Sequence, residues 1–233
     1  MSIGRVKPRK PDASPSPDLT GTLWAIEEEL VNAITHGLGL ALAVAGFVVI
    51  VTMAALRGNA WHVVACSIYG TALVAVYAAS TLYHSVTSSR WKAVFRTLDH
   101  ACIFLMIAGT YTPFTLTLLR GPWGWTIFGI VWTCAILGMI QKLAIHTSSS
   151  ALSTTIYVAM GWTALIAARP ILATFDGLTI GLLLAGGLSY TLGVYFYVRD
   201  TQRYYHAIWH IFVLAGSALH YWAVMHAVIP PAA

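Results

Sequence analysis

The sequence predicts an all-α membrane protein, a bundle of seven transmembrane helices. Three observations lead there. Only 9% of the 233 residues are Asp, Glu, Lys or Arg, while 58% are hydrophobic; a soluble domain carries about 25% charged residues, and this chain lacks the polar residues to cover such a surface. The apolar residues fall into seven stretches, at about 31–56, 60–84, 97–119, 122–143, 151–169, 172–197 and 205–228. Each is near the ~20 residues a helix needs to cross a bilayer. Turn and polar residues separate them, and a spanning run of this length must be helical, because lipid offers its backbone no other hydrogen-bond partner.

Before the spans, residues 1–21 form a basic arm rich in Pro and Ser, with Arg5, Lys7, Arg9 and Lys10. It carries too little apolar surface to fold and is expected to be disordered; residues 22–233 form the seven-span domain. Residues 22–29 read as a short amphipathic lead-in, with Leu23, Trp24 and Ile26 set against Glu27, Glu28 and Glu29. Arg57-Gly58-Asn59 separates the first two spans, and Ser88-Ser89-Arg90 with Lys92 the next two. Gly121-Pro122 places a proline at the start of the fourth span, where its missing N–H costs nothing. Lys142 to Ser150 is a polar turn, Arg169-Pro170 and Asp176-Gly177 flank the fifth and sixth spans, and Arg199 to Arg203 precedes the seventh. Pro113 should kink the third. Trp and Tyr cluster near span ends, as interfacial anchors do. No internal repeat is visible.

Arg and Lys placement orients the bundle. The arm, Arg90, Lys92 and Arg96, Lys142, and Arg199 and Arg203 fall on one side; Arg57, Arg120 and Arg169 fall on the other. The N-terminus is therefore expected in the cytoplasm and the C-terminus outside. No basic stripe with interleaved aromatics exists, which argues against nucleic acid. The first thirty residues lack the apolar core of a cleavable signal peptide. Cys66, Cys102 and Cys134 are isolated within apolar runs and read as small packing residues.

The residues that stand out are histidines at span ends. His84 closes the second span within Ser80-Thr-Leu-Tyr-His84-Ser85. Asp99-His100 opens the third, and His206 and His210 open the seventh. By the orientation above, His84, Asp99, His206 and His210 come from separate helices yet lie at one depth, in the inner leaflet. Ionisable groups in or at the rim of a span are costly and mark function by default. His206 and His210, four apart, share a helical face and can grip one metal ion; Ser80 and His84 repeat that spacing and share a face of the second helix. Three histidines with one open position is how a catalytic zinc site is built, and such an ion acidifies water toward a pKa of about 7. Asp99 would be the acid/base or a carboxylate supporting the ligands. The bland alternative is that each histidine is simply tolerated near an interface; H-x-x-x-H alone is a weak signal, and the shared depth is what argues for a site.

Glu29, Asn32 and His36 fall at i, i+3 and i+7, one face of the first helix, with Thr35 nearby. This stripe reads either as support for the metal ligands or as a packing network, with packing favoured. His220, deeper in the seventh span, reads as an interhelical hydrogen-bonding residue or a cavity lining. His62, His100 and His146 read as interface or packing residues.

Four blocks carry a family resemblance: Glu28-Glu-Leu-Val-Asn-Ala-Ile-Thr-His36-Gly, Ser80-Thr-Leu-Tyr-His84-Ser, Leu98-Asp-His-Ala-Cys-Ile-Phe-Leu-Met-Ile-Ala-Gly-Thr-Tyr-Thr-Pro-Phe114, and His206-Ala-Ile-Trp-His210 through His220-Tyr-Trp. In this order on seven spans, the chain resembles the progestin and adipoQ receptor family, in its bacterial hemolysin III branch, over residues 27 to about 226. The resemblance implies a bacterial inner-membrane protein with a cytoplasmic N-terminus. It also implies a zinc ion held by His84, His206 and His210, with Ser80 and Asp99 at the family's catalytic positions.

The function expected from the resemblance is membrane lipid homeostasis, carried out by a zinc-dependent hydrolase of a lipid amide, ceramidase-like, whose substrate enters sideways from the bilayer. A membrane-state sensor or receptor with a structural zinc is the alternative; the short outer loops favour a lipid signal over a protein hormone. A cytolysin should show polar residues along a whole span, and here they gather at one end. A proton-driven transporter would need mid-membrane carboxylates, and Glu27–Glu29, Asp99, Asp176 and Asp200 all lie at span ends.

Overall fold

The computed structural model describes residues 19–145 and 150–231. Their elements are eight α-helices: α1 (Leu19–Arg57), α2 (Ala60–Ser85), α3 (Ser89–Leu116), α4 (Pro122–Ile140), α5 (Ser150–Gly161), α6 (Ala168–Thr174), α7 (Gly177–Tyr197) and α8 (Tyr205–Ala227). A π-helical turn, Gln141–Ile145, prolongs α4, and a 3-10 turn, Thr163–Ala167, joins α5 to α6. Seven spans result, each long and apolar enough to cross a membrane. The chain is a multi-pass membrane protein, and its seven-helix architecture matches the expectation from sequence. Residues 1–18 of the basic arm, and His146, lie outside the described residues.

Lipid-facing and core-facing stripes are legible on α1. Leu30, Ile34, Leu38 and Leu42 recur every four residues and stay exposed, the face a helix presents to acyl chains. Asn32, His36, Ala43, Ile50 and Ala54 are buried on the other side. Gly39 lets α1 come close: a Cβ there would lie 2.7 Å from the Tyr77 ring and 2.8 Å from Leu214. Small residues at such crossings are how membrane helices approach one another.

α2 is the central helix. It packs against both α1 and α3, while α8 packs against α1 and α7 and α3 against α4. Its buried stripe runs through Cys66, Tyr69, Leu73, Val76, Ser80 and His84, at spacings of three and four, so Ser80 and His84 continue the core face rather than the lipid face. The second helix starts at a capping box: Asn59 Oδ1 accepts from the Trp61 N–H at 2.9 Å, and His62 Nδ1 accepts from the Asn59 N–H at 3.3 Å. His62 is therefore a capping residue. All three cysteines are free thiols.

The boundaries differ from expectation in three places. α1 continues N-terminally through the lead-in, so Glu27–Glu29 belong to one unbroken helix with His36. α3 begins at Ser89, which puts Arg90, Lys92 and Arg96 on a helix rather than in a loop. Pro170 does not end the fifth span, which runs on to Thr174. The 3-10 turn just before α6 leaves Pro170 in the first turn of that short helix, where a missing N–H is tolerated. The break comes at Phe175 and Asp176; Asp176 caps α7 by accepting the Thr179 N–H at 2.7 Å. Pro122 sits at the start of α4, as its position predicts.

Candidate metal centre

His84 on α2 and His206 and His210 on α8 converge. One ligand atom from each lies within 4.8 Å of the others. His84 and His210 are buried and His206 is partly so. The His84 ring centroid lies 5.1 Å from each of the other two, and His206 and His210, one turn apart, lie 4.7 Å from each other.

Two of the three rings are held from behind. Glu29 Oε2 on α1 lies 2.8 Å from His84 Nδ1, and Lys92 Nζ lies 2.7 Å from the same oxygen. Thr35 Oγ1, also on α1, lies 3.1 Å from His210 Nδ1. A partner on Nδ1 fixes the tautomer and leaves Nε2 as the free atom. His84 Nε2 is buried with no hydrogen-bond partner among the described residues. A buried, unpartnered imidazole nitrogen is costly, and the ring that carries it lies beside the other two histidines. The donor set fits a metal ion of the zinc type. Three imidazoles are ligands that a borderline-soft divalent ion such as zinc takes.

Next to the histidines is a second polar group. His36 stacks on His210 with ring centroids 3.5 Å apart and planes 15° apart. Its Nδ1 lies 2.7 Å from Ser80 Oγ on α2. Ser80 and His36 thus form a polar pair joining α2 to α1 alongside the three-histidine group. Asn32 is buried, with Oδ1 unpartnered among the described residues.

A model of the family described as "Haemolysin-III related" matches residues 24–221, a stretch that includes every residue of this centre. The chain belongs to the haemolysin III family. Hemolysin-3 of Bacillus cereus is 42% identical over 207 residues, covering 89% of this chain and 94% of that one. The Hemolysin-3 homolog of Bacillus subtilis (strain 168) is 40% identical over 203 residues, covering 87% and 95%. The human monocyte to macrophage differentiation factor is 30% identical over 206 residues, covering 84% and 83%.

In this haemolysin III chain the residues singled out from sequence are brought together with one exception. Ser80, His84, Asp99, His206, His210, Glu29 and His36 share one end of the bundle. His220 does not: ten residues beyond His210, it lies about 15 Å further along α8. There it stacks on Tyr190 with ring centroids 5.5 Å apart. Tyr190 and Tyr77 both hydrogen-bond Ser217 Oγ, at 2.9 and 2.7 Å, a polar knot between α2, α7 and α8. The sequence marks Lys92 only as a loop charge. Its lysine-to-glutamate spacing crosses two helices, so no periodicity could reveal the contact with Glu29.

Proposed function

We propose that the three-histidine group is a zinc centre and that the protein is a zinc-dependent hydrolase of a lipid amide, acting in membrane lipid homeostasis. The observation that carries this reading is the pairing of Glu29 with His84 Nδ1, which leaves a buried, unpartnered Nε2 beside His206 and His210. Bound by these three imidazoles, zinc would supply Lewis-acid chemistry, polarising a carbonyl and acidifying water.

The chain's own residues supply the remaining parts. In amide hydrolysis the oxygen of water bonds to the carbonyl carbon, the C–N bond breaks, and the amine leaves with a proton. Asp99 accepts the proton from the attacking water and returns it to the leaving nitrogen, as a general acid–base must. Ser80, which hydrogen-bonds His36 beside the ligands, would orient that carboxyl group. With the orientation that the Lys and Arg placement predicts, the centre lies in the inner leaflet, and substrate reaches it from the bilayer.

A second reading is a membrane-state sensor in which zinc only ties α2 to α8. The two separate at Asp99. Protein in lipid nanodiscs is incubated with a ceramide, and fatty-acid release is measured together with zinc content. The enzyme reading expects release by the wild type, at least about a hundredfold less from Asp99→Asn, and equal zinc in both. No release by zinc-loaded wild type contradicts it and leaves the sensor.

A further inference from the structure

Three consecutive glutamates on α1 reach α2, α3 and the segment before α8. Glu29 holds His84 and Lys92. Glu27 Oε2 accepts from Arg203 Nη2 at 2.7 Å. Glu28 Oε1 accepts the backbone N–H of Tyr204. Consecutive helical residues point about 100° apart, so a run of three can serve separate neighbours.

Tyr204 is the residue before α8, and its backbone is unusual. Its φ is 63°, the only positive value at a non-glycine position among the described residues. A tyrosine in the left-handed region persists only where its surroundings hold it. Its side chain does not cap α8, and the first turn of that helix carries no acidic residue. The first turn of a helix has four N–H groups without intrahelical partners and frays unless restrained. His206 lies in that turn.

The restraint comes from α1. Besides the Glu28 bond, Arg203 donates to the Tyr204 hydroxyl at 2.9 Å, and its guanidinium lies 4.9 Å from the Trp24 ring. Glu27, Glu28 and Trp24 therefore grip Arg203 and Tyr204 from one helix, immediately ahead of the first histidine of the H-x-x-x-H pair.

We infer that Glu28 is a positioning residue for the candidate metal centre: by holding the Tyr204 N–H it fixes the start of α8 and so places His206 within reach of His84. This rests on the zinc reading given above. One helix, α1, then sets all three ligands, His84 through Glu29, His210 through Thr35 and His206 through Glu28.

The test uses full-length protein in nanodiscs, with two readouts. In metal-free protein, hydrogen exchange of the Tyr204–His210 amides should quicken about tenfold in Glu28→Ala, the scale of a lost cap. In the same variant, zinc affinity, measured by competition with a chelator, should fall about tenfold, as for other residues behind metal ligands. Glu28→Gln keeps an acceptor oxygen and should restore both. In a His206→Ala background, Glu28→Ala should have no further effect on zinc. The inference is overturned if Glu28→Ala leaves exchange and affinity unchanged, or if it weakens zinc binding equally without His206. If the wild type binds no zinc, the metal reading itself fails, and exchange in the metal-free protein still decides whether Glu28 holds the start of α8.

Discussion

Glu29 on α1 holds His84 on α2 through a 2.8 Å contact between Oε2 and Nδ1, and Lys92 braces the same oxygen from α3. The contact crosses two helices, takes up one imidazole nitrogen and leaves the other buried beside His206 and His210. It is the arrangement expected of a metal-ligating histidine with its carboxylate partner.

Glu29→Ala should therefore weaken zinc binding by about 10–100-fold while all three histidines remain. Chelator competition on the purified variant measures this. An unchanged affinity would mean that Glu29 serves packing alone.

Gly186 on α7 faces His220, and a Cβ there would lie 2.7 Å from the imidazole ring. Gly186→Ala should lower stability by about 1–3 kcal/mol through overpacking. Zinc content should not change, because His220 lies well away from the ligands. Thermal unfolding in detergent, with metal analysis of the same samples, checks both halves.

Asp176, in the turn before α7, should give a pH-dependent contribution to stability. The Thr179 N–H it accepts, followed by His226 at 3.0 Å, holds its pKa below the usual 3.8. A carboxyl group with a depressed folded-state pKa stabilises the fold above its unfolded value, and that contribution is lost as pH falls through the depressed value. Asparagine keeps the capping oxygen, so Asp176→Asn isolates the charge. The variant should melt below the wild type at neutral pH, and the two should converge in strong acid. A constant difference at every pH would contradict the assignment.

Much of this was legible in the residues. Composition and run length are decisive for a membrane bundle, and the seven spans followed from them. Ser80, His84, His206 and His210 were legible as a candidate group because spacings of four put each pair on one face, at a common depth. Periodicity says which residues share a face, not which helix that face meets, so the choice between support and packing for Glu29 and His36 stayed open. The structure shows Glu29 on His84 and His36 on Ser80. The contacts of Thr35 with His210 and of Glu28 with the Tyr204 backbone span about 175 residues of sequence and leave no local signal. Pro170 misled for a local reason: a proline in the first turn of a helix looks the same in sequence as one that ends a span.

Zinc stoichiometry tests the central claim most directly. Full-length protein purified without chelator is analysed for bound metal beside His206→Ala/His210→Ala. The account predicts one zinc per chain in the wild type and none in the variant. Wild-type protein without stoichiometric metal, or a variant that retains it, would contradict the account and leave the histidines as a buried polar packing network.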